Sequence, residues 1–363
     1  MSTKPAFTYQ SAPSRVIFGT GSVGSITAEI EALGCKTVLV LSTPFQKSDA
    51  EKLAQDIGPL AAGVFSDAQM HTPVNITASA LAAYAAAGAD GIVSIGGGST
   101  IGLGKALSWR NKAPHLVVAT TYAGSEVTDI LGQTEDGVKT TVRDPAIRPE
   151  TVIYDANLTL GLPVAMSVSS GLNAIAHAVE GLYAQDRNPV TSLMAVEAIR
   201  ALKDALPRIV KVPQDVAARS DALYGSWLCG VVLGSVGMSL HHKLCHTLGG
   251  TFDLPHAETH AILLPHTAAF NAVAAQDALA PAADLFGGDL GGGLYDLATE
   301  LGAPMALRDL GVTEGDLQKA ADLAVKNAYW NPRDITRDGI LTLLLDALDG
   351  RRPSLEKCIE DLT

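Results

Sequence analysis

Short, wholly apolar runs alternate with helical stretches through the first half of the chain. Lys36 to Ser42 (KTVLVLS), Gly91 to Gly96 (GIVSIG) and His115 to Ala119 (HLVVA) read as strands buried on both faces, because none of them alternates apolar with polar positions. Ile76 to Ala87 is an alanine-rich helix with a glycine stop at Gly88. Thr100 to Ser108 reads as another helix and Thr151 to Asp155 as a last strand. Strand, helix, strand in this rhythm predicts a parallel sheet covered by helices on both faces.

After Pro163 the pattern changes to long alanine- and leucine-rich helical segments with few β-branched runs. The fold class expected is therefore α/β: a Rossmann-like dinucleotide-binding domain with a parallel sheet over residues 1–157, then an all-α domain over residues 158–363. The uncharged stretch Ala222 to Leu240 reads as a helix buried on all sides, since its glycines and serines leave it only moderately apolar. Phe286 to Gly293 (FGGDLGGG) reads as a glycine-rich turn between helices.

Composition narrows the partners. A chain of 363 residues favours two domains, and 47% hydrophobic against 18% charged residues excludes a disordered protein. With 26 basic against 38 acidic residues the net charge is -12, which argues against nucleic acid or an anionic membrane as partner. An anionic substrate must then be met by a few local cations. Cys35, Cys229, Cys245 and Cys358 form no CxxC pair, which suits a reducing, cytoplasmic setting. Met1 to Phe7 lacks the apolar core of a signal peptide, so export is not expected.

Two loops carry candidate cofactor chemistry. Gly96-Gly97-Gly98-Ser99 joins a strand to a helix, where glycines admit a phosphate to free N–H groups. A plain tight turn reads equally well from these residues alone. Thr120 to Glu126 (TTYAGSE) ends the next strand, and two polar loops at neighbouring strand ends favour a dinucleotide. Leu41-Ser42-Thr43 has no acidic residue to repel a 2′-phosphate, so both NADH and NADPH are expected to be accepted.

The second half holds a histidine constellation. Asn173 and His177 stand four apart, as do His242 and His246, and His256 follows. Residues four apart share a helix face, so these side chains can meet in one pocket. Three imidazoles and a carboxylate would suit zinc or iron, yet the fourth group is the neutral amide of Asn173. Imidazoles without a metal are available for proton and hydrogen-bond chemistry. His241 and His260 are expected in solvent or packed behind the site.

Together these motifs resemble the iron-containing alcohol dehydrogenase family, on TTYAGSE at Thr120 to Glu126, GLNAIAHAVEGLYA at Gly171 to Ala184, HHKLCHTLGG at His241 to Gly250 and LPHAETH at Leu254 to His260. The resemblance runs from about Val16 to the Asn331-Pro332-Arg333 segment and implies the fold shared with dehydroquinate synthases. In the metal-dependent relatives an aspartate and three histidines bind the ion; the aspartate falls on Asn173 and the histidines on His177, His242 and His256. His246 matches a histidine near the reacting substrate. Asparagine at this position is similar to the family's maleylacetate-reducing branch, so no metal is expected. The pyrophosphate is implied at Gly97, Gly98 and Ser99, the nicotinamide half at Thr120, Thr121 and Ser125, and a ribose contact at Lys139. Gly102 departs from an aspartate found in many relatives.

The implied reaction is NAD(P)H-dependent reduction of the conjugated double bond of maleylacetate to 3-oxoadipate in the breakdown of aromatic compounds. His242 and His246 are the expected enolate stabilisers or proton donors, with Asn173, His177 and His256 completing the catalytic set. The dicarboxylate needs cations: Lys243, Arg143 and Arg333 are candidates, each of which also reads as an ordinary solvated surface charge, with Arg333 preferred and Lys243 kept beside it. A homodimer is implied. A metal-dependent alcohol dehydrogenase is the second reading and a non-catalytic NAD-binding protein the third.

Overall fold

The computed structural model describes residues 7–10, 14–326 and 329–354. Cys358 and Met1 to Ala6 lie outside the described residues. Among the described residues, eight strands, β1 (Arg15–Phe18), β2 (Val38–Leu41), β3 (Ala61–Phe65), β4 (Gly91–Gly96), β5 (His115–Ala119), β6 (Ile130–Glu135), β7 (Val138–Arg143) and β8 (Thr151–Tyr154), are interleaved with helices α1 (Ile26–Ala32), α2 (Lys47–Ile57), α3 (Val74–Ala87) and α4 (Gly98–Asn111). Six strands form one sheet in the order β1-β8-β5-β4-β2-β3, every pair parallel. Parallel pairing forces crossovers; these helices provide them except between β5 and β8, where the β6/β7 hairpin lies in the connection.

The apolar runs are long because both faces are covered. Val38 and Val40 pack into one core with Ile30, Val93 and Leu116, whereas Leu39 and Leu41 pack into another with Ile92, Leu103 and Leu107. Successive strand residues point to opposite faces, so one unbroken run feeds two cores. The expected strands Gly91–Gly96 and His115–Ala119 are found unchanged, and α3 stops at Gly88 in the left-handed region (φ 63°). The edge strands β1 and β3 and the β6/β7 hairpin were not expected. The hairpin turns at Asp136-Gly137, both with positive φ, which is the usual chemistry of a two-residue turn.

From Val164 onward the described residues carry helices α5 (Val164–Tyr183), α6 (Pro189–Lys211), α7 (Val216–Ser235), α8 (Leu240–Phe252), α9 (His256–Ala272), α10 (Gln276–Ala283), α11 (Leu290–Glu300), α12 (Glu314–Ala324) and α13 (Arg337–Leu348). The α/β unit runs to Leu162 and takes in Gln214–Leu223; the helical unit comprises Pro163–Pro213 and continues from Tyr224. The composition change along the chain predicts a single break, after residue 157, with 214–223 in the helical part. A core of Leu240, Leu244, Leu248, Ile262, Leu317, Ile340 and Leu344 joins α8, α9, α12 and α13.

Two expectations are corrected in the helical unit. The uncharged stretch from Ala222 is not one buried helix: α7 ends at Ser235, Tyr224 and Trp227 are half-buried, and a break precedes α8. Carboxylates hold that break, Asp186 accepting from Gly237 N at 2.9 Å and Glu180 from Ser239 N at 3.0 Å. No single described helix is long and apolar enough to cross a membrane. The glycine-rich turn is confined to Gly287 and Gly288; Gly291 to Gly293 lie inside α11. A Cβ on Gly291 would stand 2.6 Å from Ala269 Cβ, so this glycine lets α11 lie close against α9.

Candidate active site

In the α/β unit, the ends of β4 and β5 are joined directly, since Thr120 N donates to Gly96 O at 3.1 Å. Gly97 is the N-cap of α4, in extended conformation and with no side-chain cap. The first N–H groups of that helix are therefore available to an anion. A Cβ on Gly97 would come within 2.6 Å of Thr121 Cγ2, while Gly98 opens onto empty space. The glycines thus leave the first turn of α4 open to an anion, with Ser99 following in that turn.

Thr120 is buried and its Oγ1 accepts from Gln46 Nε2 at 3.1 Å. Ser125 opens a short helical turn whose carbonyl accepts from Lys105 Nζ at 2.6 Å; the same ammonium reaches Thr128 Oγ1 at 2.9 Å and Ile130 O at 3.0 Å. Lys105 is wholly buried, and burial pulls its pKa down to about 7 against the attraction of Glu126 and Asp129. Neither Gln46 nor Lys105 was singled out from sequence; a lone lysine between Leu103 and Leu107 was the available signal. Gly102 leaves the space that Thr72 Oγ1 fills, from a residue with φ 47°. Lys139 is exposed on β7, paired with Thr134.

In the helical unit, the histidines expected to share a pocket come together. His177 and His242 stack with ring centroids 4.9 Å apart, His242 and His246 lie at 6.2 Å, and His246 and His256 at 6.4 Å. His177 and His242 are buried, His256 is half-buried as the first residue of α9, and His246 is exposed. Asn173 is buried one helical turn before His177, and its Oδ1 has no hydrogen-bond partner among the described residues. An orphan acceptor of this kind points to a ligand that donates to it.

The pivotal residue missed from sequence is Glu180, one turn further along α5. Its Oε2 faces His242 Nδ1 at 2.6 Å and accepts from Ser239 N at 3.0 Å; its Oε1 accepts from His241 N at 2.7 Å and Tyr183 OH at 3.1 Å. On its far side His242 Nε2 faces His177 Nδ1 at 2.9 Å. Burial alone would raise the Glu180 pKa, but the bonds from His242, the nearby imidazoles and the Ser239 N–H outweigh it and hold the carboxyl down at about 2.

His241 and His260 are 1% and 0% exposed, so the solvated alternative is wrong for both. They hydrogen-bond to each other at 3.0 Å, and His241 also meets Thr267 Oγ1 at 3.0 Å. Burial pushes His241 down to about 3 and His260 well below the ordinary imidazole range, so both stay neutral. Cys245 Sγ lies 3.6 Å from His241 Nε2, but burial keeps that thiol protonated and a poor metal ligand.

The three expected cations have different surroundings. Lys243 is half-buried with its ammonium 5.5 Å from the Tyr329 ring centroid. Arg333 stacks 4.0 Å over Phe270 and donates to its carbonyl at 3.2 Å. It lines a cavity of about 710 Å³ with His266, Asp334, Asp338 and Asp346, and none of the four clustered histidines is in that lining. Arg143 lies 3.7 Å from Asp129 on the β7 hairpin.

A uniform parallel sheet followed by a helical unit with this histidine set matches one family throughout. The chain belongs to the iron-containing alcohol dehydrogenase family: the family model matches residues 13–156 and the model of its C-terminal part residues 167–348. It is 62% identical to the maleylacetate reductase of Rhizobium sp. (strain MTP-10005), over 96% of this chain and 99% of the relative. The crystal structure of maleylacetate reductase from Agrobacterium tumefaciens matches with a TM-score of 0.94 at 61% identity, covering 96% of this chain and all of that one. An iron-containing alcohol dehydrogenase from Corynebacterium glutamicum matches at 0.91 and 42% identity, over 96% and 98% of the two chains.

Proposed function

We propose that this chain is a reductase that uses NADH or NADPH to saturate the carbon-carbon double bond of maleylacetate, giving 3-oxoadipate. Full-length identity to maleylacetate reductases supports the substrate. The observation that carries the mechanism is Asn173, an orphaned neutral acceptor where metal-dependent relatives have a carboxylate. Gly97, Gly98 and Ser99 would hold the cofactor pyrophosphate, Thr120, Thr121 and Ser125 its nicotinamide half, and Lys139 a ribose. When bound, the reduced nicotinamide supplies the hydride.

The double bond of the substrate is conjugated to a ketone, so addition at the β-carbon develops negative charge on the ketone oxygen. Imidazole N–H groups of the histidine cluster stabilise that charge and return a proton to the α-carbon. Asn173 orients the substrate through its free acceptor. Lys243 and Arg333 are the cations proposed for the two carboxylates.

The donor set does not fit a tightly held divalent ion. Asn173 brings no charge, the Glu180 carboxylate is filled by four donors, and the facing nitrogens of His177 and His242 are bonded to each other. The mechanism therefore runs without a metal. A metal-dependent alcohol dehydrogenase is the second reading, favoured by Glu180 behind His242, since carboxylates orient metal-bound imidazoles in the same way. A homodimer in the cytoplasm belongs to the proposal on family resemblance. The direct test is oxidation of NADH or NADPH on adding maleylacetate, with 3-oxoadipate as product; no oxidation would overturn it.

A further inference from the structure

We propose that Glu180 is a positioning residue that fixes the tautomers of His242 and His177, giving the histidine pair one proton direction. The proposal rests on the reading of this cluster as the reacting site. Two of the four bonds to Glu180 come from backbone N–H groups, which can only donate, and one from a tyrosine hydroxyl. The carboxylate has no donor of its own, so the remaining 2.6 Å contact requires the proton to sit on His242 Nδ1. Neutral His242 then has its lone pair on Nε2, and the 2.9 Å contact requires His177 to donate from Nδ1. His177 in turn carries its lone pair on Nε2.

The consequence for chemistry is specific. Neutral His242 has no N–H left for a substrate oxygen, because one nitrogen is spent on Glu180 and the other accepts from His177. Its task is to orient His177, as an acid orients the histidine of a hydrolase triad, and donation to the enolate falls to another imidazole. Glu180 does this while also closing the N-terminus of α8, whose N-cap Ser239 has no side-chain cap of its own. That double duty explains why a charged residue is tolerated in a helix face that is otherwise buried.

The experiment combines kinetics with long-range proton-nitrogen NMR on enzyme labelled at histidine, His242 being assigned through His242→Gln. In the native protein the expected His242 signal is that of the Nδ1–H tautomer; the Nε2–H tautomer would overturn the proposal without any substrate present. Glu180→Gln is expected to switch that signal and lower kcat on the order of 100-fold with KM within about threefold. Glu180→Asp is expected to recover part of kcat. A folded Glu180→Gln with native kcat overturns the positioning role. If Glu180→Gln does not fold, the native tautomer decides alone. Native enzyme inactive on maleylacetate would instead refute the reaction assigned to the site, and the tautomer result would stand apart from it.

Discussion

His177 Nδ1 and His242 Nε2, 65 residues apart in sequence and on separate helices, face each other at 2.9 Å. One of these nitrogens donates to the other, so the two cannot both offer lone pairs to an ion. With an amide at Asn173 and the Glu180 carboxylate filled by four donors, no carboxylate oxygen is left to favour metal over this hydrogen bond. Restoring it should change the balance. Asn173→Asp is expected to bind zinc or ferrous ion at least about tenfold more tightly than the native chain, measured by metal content after dialysis and by titration. Equal metal uptake by the two proteins would show that Asn173 is not what keeps ions out.

The proposed phosphate site depends on Gly97. A methyl group there meets Thr121 Cγ2 at 2.6 Å and narrows the approach to the first N–H groups of α4. Gly97→Ala should weaken NADH binding about tenfold or more by calorimetry, while KM for maleylacetate at saturating cofactor stays near native. Native affinity in this variant would move the pyrophosphate elsewhere.

Arg333 tests the assignment of substrate charge. If its guanidinium pairs with a carboxylate, Arg333→Met removes charge-assisted bonds of roughly 1.5–3 kcal/mol and raises KM for maleylacetate about 10- to 100-fold. An unchanged KM takes Arg333 out of the pocket and leaves Lys243→Met as the variant that must show the effect.

Glu180 also sets a pH dependence. Its folded pKa of about 2 lies below its ordinary value of 4.5, so the unfolded chain takes up the proton first as pH falls. The contribution is complete above about pH 4.5 and is lost as pH drops toward 2, an effect on the order of a few kcal/mol. Urea midpoints between pH 5 and 3 should fall less steeply in Glu180→Gln than in the native protein. Parallel slopes would mean that other carboxylates govern acid unfolding.

The central strands were legible because burial on both faces leaves an unmixed apolar run, as in Gly91–Gly96 and His115–Ala119. The edges were not: β3 is an alanine- and glycine-containing strand with every residue half-buried, which has no clear period. Gly291 to Gly293 looked like a turn because helix propensity is local, whereas the close approach to Ala269 that favours glycine there is not. The histidines could be paired from their spacing, four apart on a helix face. Glu180 could not be, since its bond to His242 spans 62 residues and a lone glutamate in a helix ordinarily faces water. Its apolar neighbours Val179 and Leu182 were the one hint.

The most direct measurement of the account is the rate of NADH oxidation by maleylacetate in protein stripped with a chelator, beside the same protein resupplied with zinc or ferrous ion. Metal-free reduction by imidazoles predicts equal rates in both, with 3-oxoadipate formed and simple alcohols left unoxidised. A rate abolished by stripping and restored by the ion would contradict it.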